Sequence, residues 1–390
     1  MSFEIALSGI NAVNSQLGSI SNNIANTGTH GYKAGRTTFS SAFAGSQAMG
    51  VEARPNSQNM GRSGGLQPTG RNLDAALDGN GFFVVRDAAV GTSYTRLGIF
   101  NADDQGFLVD SFGRRVQGFS KNAAGATGAL GDITIPAGGV PAQASGKLQF
   151  AGNMSAGWTP VTGTAGKDNF NHSSVSTVFD SLGNPHNLTQ YFSKTAAGEV
   201  TVNYTLDGNS VGAPLKLTFD TAGKLTSPAT PQDLDLGTPA GAEPLKLAVD
   251  YSGTTQFAGQ ASTVRNDNDG YAAGTRTGVS LGSNGDVVVS YSNGKKQVVA
   301  AIAVANFPNE QGLQAVSDSS WEASNESGAP LLSTPGSGMA GKLAAGALEK
   351  SNVDMTSELV DLMTAQRNYQ ANTKVIAAEN QVIQSLMQAV

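Results

Sequence analysis

The chain has 390 residues, is rich in glycine (49 residues) and carries few charged residues (14%). This length suits two or three domains that each bury a core, and the composition favours short strands joined by tight turns. The net charge of −6 argues against nucleic acid as a partner, and the lack of cysteine excludes disulfides, thiolate metal sites and cysteine nucleophiles.

Residues 2–26 are predicted to form the first helix, which should stop where it runs into Asn26, Thr27 and Gly28 and the turn-prone residues 29–31. Its apolar residues recur at every seventh position, with a second set three positions later: Phe3, Ile10, Leu17 and Ile24, then Ala6, Val13 and Ile20. This spacing makes a narrow apolar seam, which is typical of a coiled coil. Residues 27–70 show no clear period and are predicted to be an extended connector.

From Leu73 onward the hydrophobic period changes to two, which predicts strands. Residues 81–119 read as a β-meander with turns at 103–106 and 111–113. A further β-rich stretch covers 146–271. A hairpin is predicted around Asn293-Gly294, because both turn residues tolerate a positive φ.

The C-terminal end is predicted to be a second helix with its own seam. Its apolar residues again recur at every seventh position: Leu362, Tyr369, Ile376, Ile383 and Val390. The residues off the two seams are mostly uncharged and polar, such as Asn14 and Gln16 in the first helix and Asn368 and Gln381 in the second. A solvated helix normally carries Lys and Glu on such faces, so we expect both helices to pack against other protein. The predicted assembly interface is therefore Phe3, Ile10, Leu17, Ile24, Leu362, Tyr369, Ile376, Ile383 and Val390.

The expected fold class is mainly β with α-helical termini, in nested discontinuous domains. Residues 1–70 and 346–390 would form a terminal helical assembly domain of coiled-coil type. Residues 71–145 and 272–345 would form a split β domain, and 146–271 an inserted outer β domain. Nesting of this kind requires chain ends that lie close together, which is usual for domains.

No catalytic, cofactor-binding or metal site is expected, because each enzyme-like motif lacks its structural context. Residues 336–342 copy the spacing of a phosphate-binding loop, but Leu343 stands where a Ser or Thr hydroxyl would bind Mg²⁺. Residues 278–282 fit a nucleophile elbow by letter, yet a hairpin follows instead of a helix. The histidines lack metal-ligand spacing and are read as surface or turn residues: His30, His172 and His186.

The two ends of the chain resemble the terminal signatures of bacterial flagellar rod and hook proteins. The N-terminal signature is carried by 21–27 and 31–33, and the C-terminal one by 347–354, 358–360 and 365–369. The positions that we assign to the family motif are Asn22, Asn23, Ala25, Asn26, Gly31, Tyr32, Lys33, Ser351, Asn352, Val353, Asp354, Gln366 and Arg367.

The resemblance continues through the interior, at 73–74, 81–83, 94–96 and 116–119. The insert, with its segment 178–186, resembles the outer β domain of hook proteins, whereas distal rod proteins lack a large insert. The resemblance therefore implies a hook subunit, with a distal rod protein as the alternative. A carbohydrate-binding or adhesive β protein that uses Trp158, Tyr191 or Tyr204 is a more remote alternative.

For a hook subunit the resemblance implies a helical homopolymer: a curved tube that passes motor torque to the filament as a universal joint and encloses the export channel. The implied partners are other copies of the chain, the distal rod protein, the hook cap protein, the hook–filament junction protein, the flagellar type III export apparatus and the hook-length control protein. The implied location is extracellular, next to the basal body. No cleaved signal peptide and no membrane insertion are expected, since the N-terminus lacks a basic segment before an apolar one and the sequence has no run of 18 apolar residues.

Overall fold

The computed structural model describes residues 2–44, 47–54, 57–87, 89, 91–122 and 125–389. The chain divides into two compact units. Unit 1 consists of 1–137, 278–290 and 296–390, and unit 2 of 138–277 and 291–295. The three-part division expected from the sequence stays a prediction.

The first part of unit 1 begins with a helix and continues as short strands. They are α1 Ser2–Ala25, β1 Gly35–Arg36, β2 Phe39–Ala44, β3 Gln47–Ala53, β4 Ser57–Gln58, β5 Leu66–Pro68, β6 Ala75–Asp78, β7 Phe82–Asp87, β8 Gly91–Thr95, β9 Phe100–Ala102, β10 Leu108–Asp110, β11 Arg115–Lys121 and β12 Thr127–Asp132.

Unit 2 contains the middle strands of the chain: β13 Lys147–Asn153, β14 His172–Phe179, β15 Pro185–Ala196, β16 Glu199–Leu206, β17 Asn209–Phe219, β18 Leu225–Ser227, β19 Gln232–Asp235, β20 Lys246–Asp250 and β21 Ser262–Asn268. One sheet has the order β14-β15-β16-β17-β18 and another the order β19-β20-β13-β21. Alternate residues of these strands point inward, as the period of two requires. They form an apolar core around Phe150, Phe192 and Leu247.

The chain then returns to the segments of unit 1 through β22 Arg276–Leu281, β23 Asp286–Tyr291, β24 Lys296–Ile302, β25 Val304–Asn306, a 3₁₀ turn Glu310–Gly312, β26 Gln314–Val316, β27 Ser320–Glu322, β28 Leu331–Ser333, β29 Lys342–Ala345, β30 Ala347–Glu349 and α2 Met355–Ala389. The main sheet runs in the order β22-β23-β24-β11-β7-β8-β27-β26. Its core holds Phe82, Tyr94, Phe307 and Trp321, whose rings meet edge to face.

The predicted fold class is confirmed: the described residues are mainly β, with a helix at each end. The hairpin at Asn293-Gly294 is present, and Gly294 has the positive φ (79°) that its turn requires. The connector predicted for 27–70 is only partly right, because β1 pairs with β4, β2 with β3, and β5 with β30. The strands β1 and β4 have two residues each and β5 pairs with a distant segment, while the composition of β2 and β3 shows no alternation of apolar and polar residues.

Candidate assembly interface

The two terminal helices pack on each other through a small apolar cluster. Val13 and Ile20 of α1 meet Ala365 of α2, and all three side chains are buried. Leu17, Ile24 and Leu362 flank them and are partly buried. Gly9 also marks a close approach, since a Cβ there would lie 2.9 Å from Asn372 Nδ2. The positions three residues after the predicted seam are thus the most deeply covered in the single chain.

The predicted seam itself is only partly covered within one molecule. Ile10 and Ile376 are half-buried, whereas Phe3 and Tyr369 are each 37% exposed and Ile383 is 47% exposed. Val390 lies outside the described residues. The assignment of the seam to an interface between molecules stays a prediction.

A second apolar surface on α2 was not named from the sequence. Its members are all at least 45% exposed: Met355, Leu359, Val360, Met363, Val375, Val382 and Met387. Only Val375 and Val382 are seven positions apart, and the other members do not continue that spacing, so the set forms no heptad pattern in the sequence. Exposed apolar side chains grouped on one element indicate a surface that binds protein.

The family-motif residues at the end of α1 fasten the helix to the chain that follows it. Asn23 is buried, and its Nδ2 donates to Gly35 O (2.8 Å) and to Glu358 Oε1 of α2 (2.9 Å). Its Oδ1 accepts from Gly35 N (2.8 Å) and from Tyr32 Oη (3.2 Å). Burial raises the pKa of Tyr32, and the Glu358 carboxylate raises it further. Burial also raises the pKa of Glu358, while the bond from Asn23 opposes that rise.

The neighbouring motif residues shape the turn after α1. Asn26 Nδ2 donates to Asn22 Oδ1 (2.7 Å), and Asn26 Oδ1 accepts from Thr29 Oγ1 (3.0 Å). Gly31 has a φ of 72°, and a Cβ there would lie 2.9 Å from the Arg96 carbonyl carbon, so only glycine fits. Ala25 is exposed at the last position of the helix.

A buried charge cluster lies behind this turn. Lys33 Nζ is 2.8 Å from Glu349 Oε1, and Arg96 Nη1 is 3.1 Å from Glu349 Oε2; all three side chains are at most 1% exposed. Gly64 N also donates to Glu349 Oε1 (2.9 Å), and Lys33 Nζ donates to Arg62 O (3.0 Å). Burial lowers the pKa of Lys33, and the Arg96 guanidinium adds to this, while Glu349 opposes it.

The C-terminal motif completes the junction between the two ends of the chain. Asn352 Oδ1 accepts from Ala34 N (2.7 Å), and its Nδ2 donates to Asn59 O (2.9 Å) and Arg62 O (2.8 Å). Ser351 Oγ accepts from Val353 N (3.4 Å). These bonds fix the chain just before α2 and satisfy backbone groups that would otherwise be buried unpaired.

Asp354 caps the N-terminus of α2. Its Oδ1 accepts from Thr356 N (3.0 Å), and this bond, with others from Ser357, lowers the pKa of the Asp354 carboxyl. Gln366 and Arg367 lie on exposed positions of α2. The motif residues thus divide into buried anchors at the junction and exposed positions along the helix.

No role was predicted from the sequence for Glu349, Arg96 or Glu358, which lie in the segments 347–354, 94–96 and 358–360. A signal was present for Glu349 and Arg96, because each is a charge in or at the end of a short run that otherwise reads as a buried strand. Buried charges require partners, but only the fold shows which opposite charges meet.

The residues and motifs considered for carbohydrate, phosphate or metal binding are not part of the helix junction. Tyr204 is 4% exposed and bonds Tyr251 Oη (3.0 Å), so its proposal as a carbohydrate-stacking residue is wrong. Residues 336–342 form a turn closed by Gly336 N to Gly341 O (2.9 Å), after which β29 begins. Within the part of the chain that the structure describes, no group of three or more metal-ligating side chains could hold a metal ion, and no helix is long and apolar enough to cross a membrane.

Three family models match the chain. Residues 76–153 match the flagellar hook protein FlgE/F/G D1 domain, 135–271 the flagellar basal body protein FlaE D2 domain, and 344–389 the flagellar basal body rod FlgEFG protein C-terminal segment. The order of these matches follows the fold, with the D2 match over most of unit 2 and the C-terminal match over α2 and the strands before it.

Relatives match over the full length. The chain is 35% identical to the flagellar hook protein FlgE of Salmonella typhimurium over 404 residues, which covers 99% of both chains. It is 35% identical to that of Escherichia coli over 401 residues, again 99% of both, and 30% identical to that of Treponema pallidum, covering 98% of this chain and 97% of that one. The Helicobacter pylori flagellar hook protein FlgE2 shares the fold, with a TM-score of 0.55 at 15% identity over 73% of this chain and all of that one.

Helices at both ends of the chain and two β-rich units, with these domain matches, define a structural protein of the flagellar axis. The chain belongs to the flagellar hook protein family. It is a structural subunit of the flagellar hook and is located in the hook. Proteins of this family polymerise into the hook and associate with other flagellar components. The prediction of a hook subunit is thereby confirmed, in a family that is not known for catalysis.

Proposed function

We propose that this subunit stacks head to tail into a flexible, curved tube that transmits torque from the rod to the filament as a universal joint and encloses the export channel. Contacts of this kind join different patches of neighbouring subunits, so they propagate as a helix instead of closing into a dimer. The terminal helices carry the contacts closest to the tube axis. The predicted domains form the shells of the tube: 71–145 and 272–345 form the middle shell, and 146–271 forms the outer shell.

The observation that carries this proposal is the exposed apolar surface of α2. A helix whose apolar residues face water gains most of its stability from packing, and α1 covers only part of α2. The exposed members Val360, Met363 and Val382 together with the half-exposed seam residues Tyr369 and Ile383 give α2 apolar surface for further helices. Sister molecules supply those helices in the assembled tube.

Bending is supported by the polarity of unit 2. About half of the residues in its edge strands β14 and β21 are Ser, Thr or Asn, and Val175 and Val264 are exposed among them. Few ion pairs could fix one register between such surfaces, and exposed pairs are weak in any case. Neighbouring outer shells can therefore slide as the tube turns.

The specific partners are part of the same proposal. They are the distal rod protein at one end, the hook cap and hook–filament junction proteins at the other, and the type III export apparatus with the hook-length control protein during growth. Export proceeds without a cleaved signal peptide. An unfolded chain without cysteine has no disulfide to obstruct a narrow channel.

The experiment replaces single exposed α2 residues by glutamate in the full chain. Met363→Glu and Val382→Glu should abolish sedimentable polymer, because a charge would be buried between helices. The circular dichroism and the unfolding midpoints of the dispersed subunit should stay unchanged, since both side chains are more than half exposed. Asn325→Glu is the control, because it places the same charge on an exposed amide of unit 1 outside both helices.

Polymers of normal yield from both Met363→Glu and Val382→Glu would contradict the assigned surface. Equal loss of polymer in Asn325→Glu would also contradict it, because the effect would then follow from net charge and not from the apolar contact.

A further inference from the structure

Two turns of the β part of the chain have the same three residues in the same backbone conformation. Ser283-Asn284-Gly285 lies between β22 and β23, and Ser292-Asn293-Gly294 lies between β23 and β24. In each turn the glycine N–H donates to the carbonyl three residues before it, at 2.9 Å in the first turn and 3.0 Å in the second. The glycine φ is 80° in the first and 79° in the second. The two turns are therefore a matched pair, and their surroundings are the main difference between them.

The asparagine side chains of the two turns are held differently. Asn293 is partly buried, its Nδ2 donates to Ala272 O (2.6 Å), and its Oδ1 accepts from Lys295 N (3.0 Å). Gly274 confines the same amide, since a Cβ at Gly274 would lie 2.7 Å from Asn293 Cγ. Asn284 is exposed, and its amide has no hydrogen bond to any residue that the structure describes. One amide is thus fixed at both of its polar atoms, and the other can rotate.

An asparagine that precedes glycine can lose its amide group without an enzyme. The glycine nitrogen attacks the asparagine Cγ, a new C–N bond forms, and the bond from Cγ to Nδ2 breaks. Nδ2 leaves as ammonia and takes the proton of the glycine N–H. Water then opens the resulting succinimide ring at either carbonyl, which gives aspartate or isoaspartate. Glycine favours the attack because it has no Cβ to shield its nitrogen, and the asparagine side chain must rotate into a reactive geometry.

We propose that Asn284 is a site of spontaneous deamidation and that the fold protects Asn293 from the same reaction. Rotation of the Asn284 amide breaks no hydrogen bond, whereas rotation of the Asn293 amide breaks two. The isoaspartate product runs the main chain through Cγ, so it lengthens the turn between β22 and β23 and adds a negative charge shortly before Asp286. The third Asn-Gly pair, at Asn80, follows glycine in place of serine and is not a matched comparison.

The test is incubation of the dispersed full-length subunit in mildly alkaline buffer, followed by mass spectrometry. Trypsin cuts after Arg276 and Lys295, so both asparagines lie in one peptide, 277–295, whose fragment ions report the two sites separately. Deamidation should be faster at Asn284 by about tenfold or more, because two hydrogen bonds oppose the reaction at Asn293. Equal rates at the two sites, or a faster reaction at Asn293, would overturn the proposal.

A denatured sample separates the effect of the fold from that of the sequence. In concentrated guanidinium chloride the two Ser-Asn-Gly segments should react at similar rates, because neither side chain is then held. A preference for Asn284 of the same size as in the folded chain would contradict the proposal, since the sequence would then cause it. Absence of product at Asn284 in the folded subunit, after a time in which the denatured chain reacts completely, would also overturn it.

Gly274→Ala tests the protection of Asn293 directly. The new Cβ should displace the Asn293 amide and break its two bonds, so deamidation at Asn293 should rise towards the rate at Asn284. Gly278→Ala, at a glycine with open space where a Cβ would lie, is the matched control and should leave both rates as in the native chain. Unchanged protection of Asn293 in a folded Gly274→Ala chain would contradict the assigned cause. If this variant does not fold, the native and denatured samples still decide the proposal, and neither depends on the proposed tube.

Discussion

Unit 2 and the terminal helix pair are stabilised in different ways. Unit 2 has a large continuous core that contains Phe150, Phe192 and Leu247 and is closed by its own two sheets. The helix pair has three buried side chains in its cluster, and much of the apolar surface of α2 stays exposed. We therefore expect unit 2 to need no neighbour for its stability and the helices to acquire much of theirs from other molecules.

The core of unit 2 should show the largest effect of a single substitution. Phe192→Ala removes a fully buried ring that packs 4.9 Å from Phe150, centre to centre. We expect a loss of about 3–5 kcal/mol in the free energy of unfolding of unit 2. Chemical denaturation followed by a probe in unit 2 measures it, and a loss below about 1 kcal/mol would show that the core can collapse around the gap.

The junction should give an intermediate effect that acts on the helices and not on unit 2. Asn352→Ala removes three hydrogen bonds and leaves Ala34 N and Asn59 O without these partners, while Arg62 O keeps its bond from Lys33 Nζ. The expected cost is about 1–3 kcal/mol in unit 1. The control Asn325→Ala alters an exposed amide of the same unit and should cost nothing measurable. An equal cost for the two variants would remove the assigned role of Asn352.

The helix pair should tolerate the loss of a central side chain. Val13→Ala trims one of the most buried residues of the pair, yet the small cluster predicts a cost of at most about 1 kcal/mol in the single subunit. Thermal unfolding of the helical signal measures this change. A loss as large as that of Phe192→Ala would mean that the helices have a complete core of their own.

The smallest effect concerns pH and unit 2. His186 Nδ1 lies 2.7 Å from Asp207 Oδ2 and its Nε2 lies 3.4 Å from Asp180 Oδ2. The bond to Asp207 raises the pKa of His186, and Asp180 adds to this. Burial alone would raise the pKa of Asp180, but bonds from Asn184 and its other donors lower it to about 2.

A raised histidine pKa stabilises the fold below the ordinary value of about 6.5, and this contribution is lost as pH rises through the higher pKa of the folded state. The difference in unfolding free energy between the native chain and His186→Gln should therefore shrink above neutral pH, by less than about 1 kcal/mol because the ring is partly exposed. Burial lowers the pKa of His172, so its contribution to stability changes with pH in the opposite direction. His172 is present in both the native chain and His186→Gln, so this contribution cancels in the difference between them. A difference that grows with pH would contradict the assignment.

The sequence predicted those parts of the fold that depend on local pattern. The helices follow from apolar spacing, and the hairpin at Asn293-Gly294 follows from turn chemistry. The junction could not be derived in this way, because Lys33, Arg96 and Glu349 are brought together only by the fold. The strands β5 and β30 were missed for the same reason, since each has three residues and a partner almost 300 residues away.

The candidate assembly interface was likewise predicted only in part. The motif positions Asn23, Lys33 and Asn352 were found by resemblance, and the structure supplies their physical role as buried anchors. The exposed apolar residues of α2 outside the seam were not found. Spacing identifies a stripe that one partner covers, whereas α2 has apolar residues around more of its circumference.

Hydrogen exchange of α2 in the dispersed subunit and in the assembled polymer tests the central claim most directly. If the helices are stabilised by sister molecules, exchange across 355–389 should slow by on the order of 100-fold or more on assembly, as burial of the helix suppresses its local opening. Exchange in the core strands β15 and β16 should change little. Equal exchange of α2 in the two states would contradict the account, because the helices would then owe nothing to their neighbours.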